Sequence, residues 1–248
     1  MAAPRGQTDD AFLGGRLTIR QPKEGYRAGL DAVMLGASVP ARIGDSICDV
    51  GSGVGTAALC LAARVRGLTV TAVEIDETLA ALARANAERN PVSEGFTVVV
   101  ADVWKKPRTL PRQHFHHVLT NPPFYDIARG TRAPASGKAR ATSAHAHDLV
   151  AWLRFARALV RPQGTLTAIL PPDQIPRALE ALSPDGQGTE LLPLWPKPGV
   201  PAKRIIVRTR MNSRKPLVLH TGLVLHQPTG EPTPEAEAVL RRAEALFT

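Results

Sequence analysis

From Ile47 onward the chain alternates short runs of β-branched and apolar residues with longer stretches whose apolar positions recur at helical spacing. The short runs predict strands near residues 46–50 (SICDV), 68–74 (LTVTAVE), 96–100 (FTVVV), 115–120 (FHHVLT) and 164–170 (GTLTAIL). Helices are predicted near 55–66, 77–90, 148–160 and 173–183. Strands that alternate with helices in this way form a parallel sheet with crossover helices on its faces. The C-terminal part differs. There "KRIIVRTRM" and "PLVLHTGLVL", joined by the polar "NSRK", read as an antiparallel strand pair closing the sheet. The expected fold is therefore α/β, doubly wound, with a mostly parallel seven-stranded sheet. A closing helix over "PEAEAVLRRAEALF" should have Thr233 as N-cap and Pro234 at its first position. Upstream, "FLGGRLTIRQP" suggests a small hairpin and "LDAVMLGASV" a helix. The expected organisation is an N-terminal extension over 1–44 and one domain over 45–248.

Composition changes the picture mainly through charge. The 248 residues carry 31 Lys+Arg against 22 Asp+Glu, a formal charge of +9, with a pI near 10.2. Such a balance suits an anionic partner, nucleic acid first. The distribution strengthens this reading. No acidic residue occurs from Leu191 to Gln227, a span holding Lys203, Arg204, Arg208 and Arg210, and none from Ile127 to His147, which holds Lys138 and Arg140. No apolar run has membrane-spanning length, and "MAAPRGQTDD" lacks the order of a signal peptide, so a cytoplasmic protein without membrane contact is expected. Cys48 and Cys60 fit buried reduced thiols, and no histidine has a partner at zinc-site spacing, so no metal is expected.

The first predicted strand runs into "CDVGSGVGT", Cys48–Thr56. A glycine-rich turn opening a helix lets backbone amides approach a ligand closely. A dinucleotide fingerprint starting at Gly51 would need glycine where Thr56 stands. Asp49, just before the turn, is placed to meet a cation such as the amino group of S-adenosylmethionine. Glu74 falls at the end of the second strand, where a carboxylate can accept both hydroxyls of a ribose. Asp102 ends the third and could accept from an adenine amine. At the end of the fourth comes "VLTNPPFYD", in which the prolines fix a loop behind Asn121.

"DVGSGVGT", "VEID", "AD" at 101–102 and "TNPPFY" together resemble the class I S-adenosylmethionine-dependent methyltransferases that act on exocyclic amino nitrogens. The flanks "GYRAGLDAVMLGA" and "GVPAKRIIVRTR" resemble the bacterial adenine-N6 methyltransferases that modify valine tRNA beside its anticodon. The resemblance implies a Rossmann-like sheet and S-adenosylmethionine as cofactor. It implies cofactor contacts at Tyr26, Arg27, Asp49, Gly51, Ser52, Gly53, Gly55, Glu74, Ile75, Asp102, Val103 and Asn121. For catalysis it implies Asn121, Pro122, Pro123, Phe124 and Tyr125. The Asn121 side-chain carbonyl and the Pro122 backbone carbonyl would accept from the two N–H bonds of the target amine, while Phe124 or Tyr125 stacks on the extruded base. Lys138, Arg140, Lys203, Arg204, Arg208 and Arg210 are expected to meet RNA, tRNA above all. The family usually has tyrosine after Asn-Pro-Pro. Phe124 occurs also in ribosomal RNA guanine-N2 methyltransferases, which keeps guanine open beside adenine. Protein glutamine methylation and an inactive RNA-binding fold are further alternatives.

Overall fold

Residues 6–25, 27–92, 94–123, 148–183 and 185–247 are described by the computed structural model. Strands β1 (Gln7–Phe12) and β2 (Leu17–Pro22) form the N-terminal hairpin, and helix α1 (Leu30–Ser38) follows. The alternating unit then runs β3 (Ser46–Val50), α2 (Thr56–Arg64), β4 (Thr69–Glu74), α3 (Glu77–Arg89), β5 (Phe96–Val100) and β6 (Phe115–Thr120). It continues with α4 (Leu149–Leu159), β7 (Val160–Leu170), α5 (Ile175–Leu182), β8 (Thr189–Trp195) and β9 (Arg204–Arg210). Two-residue strands β10 (Val218–Leu219) and β11 (Leu223–Val224) precede helix α6 (Pro234–Arg242). Thr233 caps α6 as expected, its side chain accepting from the Ala236 amide at 3.1 Å.

Across the sheet the order is β10-β8-β9-β7-β6-β3-β4-β5, with β11 also on β8. The five strands from β7 to β5 are mutually parallel, and β9 is inserted antiparallel between β7 and β8. The seven-stranded mixed sheet is thus present with two short strands added. The expected C-terminal pair is corrected: the 216–225 segment does not pair with β9, because β7 and β8 already take both edges of β9. That segment instead lies parallel along the outer edge of β8, in two short pieces. Pro193 within "TELLPLW" argues against a strand, yet that run is β8.

The sheet is covered on both faces, as its uninterrupted apolar strands require. One face, led by Ile47, packs against residues of α1, α2, α3 and α6, including Met34, Leu59, Leu61 and Val239. The other, led by Cys48 and Val50, packs against α4 and α5 through Trp152, Leu153, Leu159 and Ala178. The two thiols are free and buried.

The N-terminal hairpin is held to α3 by two asparagines one turn apart. Asn86 accepts from the Arg20 amide at 2.7 Å and donates to the Arg20 and Val54 carbonyls at 3.0 Å. Asn90 accepts from the Thr18 amide at 2.9 Å and donates to the Thr18 carbonyl at 3.1 Å. The two amides thereby act as a pairing strand for alternate residues of β2, and Asn86 ties that strand to the glycine loop. Asp9 links Arg20 and Arg89, whose guanidinium hydrogen bonds hold its carboxyl well below the usual carboxylate range.

Candidate cofactor and substrate site

Parallel register brings three strand ends to one level. Val50 pairs with Val73 on one side and with Thr120 on the other, so the next residues, Gly51, Glu74 and Asn121, leave the sheet side by side. Glu74 in turn pairs with Val100, which places Asp102 just beyond on the fourth strand end. In open α/β sheets this carboxyl edge is where ligands bind. Asp49, Gly51, Glu74, Asp102 and Asn121 are therefore brought together at one edge.

The turn after β3 owes its shape to glycines at positive φ: Gly51 at 74°, Gly53 at 56° and Gly55 at 84°. Gly51 is required twice over, since a Cβ there would lie 2.9 Å from the Trp152 ring. The Gly51 and Ser52 amides both donate to the Val73 carbonyl at 2.9 Å, which welds the turn to β4. The loop leaves buried polar atoms without partners: Asp49 Oδ2, Ser52 Oγ and Thr56 Oγ1. Orphaned groups of this kind cost free energy, and their concentration in one short turn marks a place where a ligand supplies the missing partners. Asp49 is 2% exposed. Burial pushes its carboxyl up to about 7, opposed by the Ala58 amide and reinforced by the charge of Glu74.

Glu74 is also buried, and burial raises its carboxyl above the ordinary value against the pull of the Asp76, Gly53 and Ile75 amides. It accepts from the Gly53 amide at 2.8 Å and from the Ile75 and Asp76 amides at 2.8 and 2.9 Å. The exposed Ile75 side chain adds an apolar surface beside it. Asp102 accepts from the Trp104 amide at 3.0 Å and so caps a short turn of helix, while Val103 is buried in the apolar cluster under α4.

Asn121 is half-buried and its side chain makes no hydrogen bond among the described residues; Pro122 behind it is buried and Pro123 exposed. Its position is set by Thr120, which donates to the Val50 carbonyl at 2.7 Å and accepts from Trp152 Nε1 at 2.9 Å. Trp152 also lies against Gly51 and meets the Trp104 ring edge-on at 5.7 Å. One side chain of α4 therefore fixes the glycine turn and the Asn-Pro-Pro turn relative to each other. Sequence reading missed this Thr120–Trp152 pair, because a tryptophan in the first turn of a helix reads as core.

Several expected contacts sit elsewhere. Arg27 donates to Asp10 at 2.7 Å, Thr8 at 2.9 Å and the Pro22 carbonyl at 2.7 Å, which engages it in the hairpin. Arg208 is turned inward, paired with Glu190, hydrogen-bonded to the Ser38 carbonyl at 3.1 Å and 3.7 Å over the Phe247 ring. A guanidinium so engaged is not available to RNA, against expectation. Because β9 runs antiparallel, its cations divide along the strand: Lys203 and Arg204 stand at the carboxyl edge, while Arg210, opposite Thr165, stands at the other end. Arg204 is paired with Asp31 at 2.8 Å. Tyr26, Phe124, Tyr125, Lys138 and Arg140 lie outside the described residues. Among the described residues no cluster of His, Cys, Asp and Glu has the arrangement of a metal site, and no helix is long and apolar enough to cross a membrane.

The model of the methyltransferase small domain family matches residues 31–136. A tRNA1(Val) (adenine(37)-N6)-methyltransferase of Porphyromonas gingivalis is 30% identical over 250 residues, covering 96% of this chain and 95% of its own length. The chain belongs to this methyltransferase family. Its relative of the same name in Serratia proteamaculans is 36% identical over 156 residues, which cover 59% of this chain and 56% of that protein. The match thus spans little more than half the length of the Serratia relative. Among solved structures, one from Agrobacterium tumefaciens, described as a predicted O-methyltransferase, superposes with a TM-score of 0.70 at 27% identity, covering 84% of this chain and 94% of that one.

Proposed function

We propose that this family member transfers a methyl group from S-adenosylmethionine to the exocyclic amine of an RNA base, adenine N6 in a tRNA anticodon loop. The observation that carries the reading is the juxtaposition, at one sheet edge, of a buried carboxylate with one unpaired oxygen, Asp49 Oδ2, and an amide side chain, Asn121, that makes no hydrogen bond among the described residues. The residues present fit the cofactor. Asp49 would take its cationic amino group, the turn at Ser52–Gly55 its backbone-facing atoms, Glu74 its ribose hydroxyls, and Asp102 with Ile75 its adenine. When bound, S-adenosylmethionine supplies an electrophilic methyl group.

The chain's own part is to prepare the amine. An amino nitrogen on a purine donates its lone pair into the ring and is a weak nucleophile. Two acceptors aimed at its N–H bonds favour the pyramidal nitrogen, and so stabilise the transition state over the ground state. The Asn121 carbonyl oxygen is one acceptor and the Pro122 backbone carbonyl the other. Prolines on both sides of the second oxygen, and Thr120 locked between Val50 and Trp152, keep these groups from reorganising during the reaction. The proton released from the nitrogen passes to solvent, and no strong base is required.

Named relatives support tRNA and adenine; Phe124 after Asn-Pro-Pro keeps ribosomal guanine as the second reading. The test is incubation of the purified protein with labelled S-adenosylmethionine and separate tRNA, ribosomal RNA and protein fractions, followed by nucleoside mass spectrometry. N6-methyladenosine in tRNA is the expected product. Label in guanine or in protein would retain the chemistry and overturn the substrate.

A further inference from the structure

Beyond the reacting groups, the same edge carries a second concave surface. A cleft of about 580 Å³ is lined by Trp195, Lys197, Pro198, Val200, Pro201 and Val224. It lies where β8 ends and the chain turns into β9, so it opens at the edge that carries Asn121. Three features prepare it for a planar, negatively charged guest. The Trp195 indole is fixed, its Nε1 donating to the Thr221 carbonyl at 3.1 Å, with Gly222 packed so closely that a Cβ there would lie 2.5 Å from the same nitrogen. Pro196, Pro198 and Pro201 stiffen the rim, which leaves Val200 exposed. Basic residues accompany it without any acid nearby in sequence: Lys197 lines it, its Nζ donating to the Pro228 carbonyl at 3.2 Å and keeping two further N–H donors, and Lys203 follows in the same loop, its backbone amide donating to the Leu194 carbonyl just before the tryptophan.

Resting on the proposed RNA substrate, we infer that this cleft holds a second, unpaired nucleobase of that RNA, stacked on Trp195, with its phosphate toward Lys197 and Lys203. β8 lies three strands from β6, about 14 Å across the sheet, and Trp195 stands three residues beyond the level of Asn121, about 10 Å along it. A splayed single strand crosses that distance in a few nucleotides. A base held there would fix the register of the loop, so that only one position reaches Asn121. Stacking accepts any base, so the cleft reads the loop's shape and spacing.

The experiment uses the full chain and RNA hairpins carrying an abasic nucleotide at each loop position in turn, with methyl transfer and cofactor binding measured separately. Trp195→Ala should raise the KM for the intact hairpin about tenfold or more, with cofactor affinity unchanged, and Trp195→Phe should restore it. One flanking abasic position should produce the same rise in the unaltered protein and no further rise in Trp195→Ala. Equal losses in both proteins at every abasic position would overturn the inference and leave RNA methylation standing. Trp195→Ala with normal KM would do the same. Failure of the unaltered protein to methylate any RNA would instead remove the functional reading, and the inference with it.

Discussion

The two ends of the parallel strands both bury polar and titratable groups, and they treat them in opposite ways. At the amino end, His117 meets Thr165 at 2.8 Å and Asp45 at 3.1 Å, His116 meets Ser46 at 2.8 Å, and Asp45 also accepts from the Arg42 amide at 2.8 Å. Every group in that cluster has a partner. At the carboxyl end, Asp49, Ser52 and Thr56 keep buried oxygens unpaired, and the Asn121 side chain makes no hydrogen bond among the described residues. A satisfied network contributes to the stability of the fold, whereas an unsatisfied one costs stability and is retained where a ligand completes it. Polarity and burial alone do not identify a site, nor do single unpaired atoms such as Arg64 Nε or Thr167 Oγ1; the clustering of unmet hydrogen-bonding capacity at one sheet edge does.

The largest break in this comparison is expected at Asn121. Asn121→Ala removes an acceptor needed only as the amine pyramidalises, so kcat should fall on the order of 10²–10³-fold. Cofactor affinity and melting temperature should stay close to those of the unaltered protein. Calorimetric cofactor binding beside single-turnover kinetics separates the two quantities, and weakened binding with normal turnover would contradict the role.

Next come two aspartates, one at each end, Asp49 buried and Asp45 half-buried. Asp49→Asn should weaken S-adenosylmethionine binding on the order of 10–100-fold, the worth of a charge-assisted contact. Its pH dependence has a definite sign. The empty site holds Asp49 at about 7, and a cationic ligand favours the ionised form. Affinity should therefore fall as pH drops below 7, by up to about tenfold per unit, and level off above it. Asp49→Asn should flatten that profile. The raised carboxyl also means that the stability it contributes to the empty protein is present at low pH and lost as pH rises through 7, so Asp49→Asn should not destabilise the unliganded fold there. At the other end the sign reverses. Burial holds His117 down at about 4 against the attraction of Asp45. For Asp45, burial works to raise the carboxyl, but the Arg42 amide and the neighbouring histidines outweigh it and leave it lowered. The contribution of His117 is present above the ordinary histidine range and lost as pH falls through about 4, whereas that of Asp45 is present above the ordinary carboxylate range and lost only as pH falls below it. Asp45→Asn should cost about 1–3 kcal/mol of folding stability at neutral pH with cofactor affinity unchanged. Denaturant melts of both variants across pH test the contrast.

Much of the carboxyl edge was legible in the sequence because each feature there is local. Gly51, Gly53 and Gly55 announce the turn, Glu74 and Asp102 follow recognisable strands, and Asn-Pro-Pro ends another. What was not legible depends on contacts distant in the chain. The Trp152 clamp on Thr120 joins residues 32 apart, and the hairpin latch through Asn86 and Asn90 joins residues about 70 apart. The antiparallel pair was misassigned for a related reason. Alternation in 204–210 and 216–225 shows that each is extended, and "NSRK" between them looks like a hairpin link, but pattern carries no information on which neighbour already fills an edge.

The smallest effect separates the cations of β9, which the sequence presents as equivalents. Lys203 stands at the carboxyl edge, where the proposed RNA would approach Asn121, whereas Arg208 is committed inward to Glu190 and the Phe247 ring. Phosphate contacts release counterions, and losing one lowers the slope of log affinity against log salt by roughly 0.7–0.9. Lys203→Gln should therefore weaken RNA binding a few-fold at moderate salt and reduce that slope, with an unchanged melting temperature. Arg208→Gln should do the reverse: the slope stays, and about 1–3 kcal/mol of stability is lost as Glu190 is left without its partner. Arg204 falls between the two, since removing it also frees Asp31 on α1. Fluorescence titrations at several salt concentrations, run beside thermal melts of the same preparations, decide the matter. An unchanged slope in Lys203→Gln, or a reduced one in Arg208→Gln, would show that the RNA follows a path other than the edge occupied by Asn121 and Trp195.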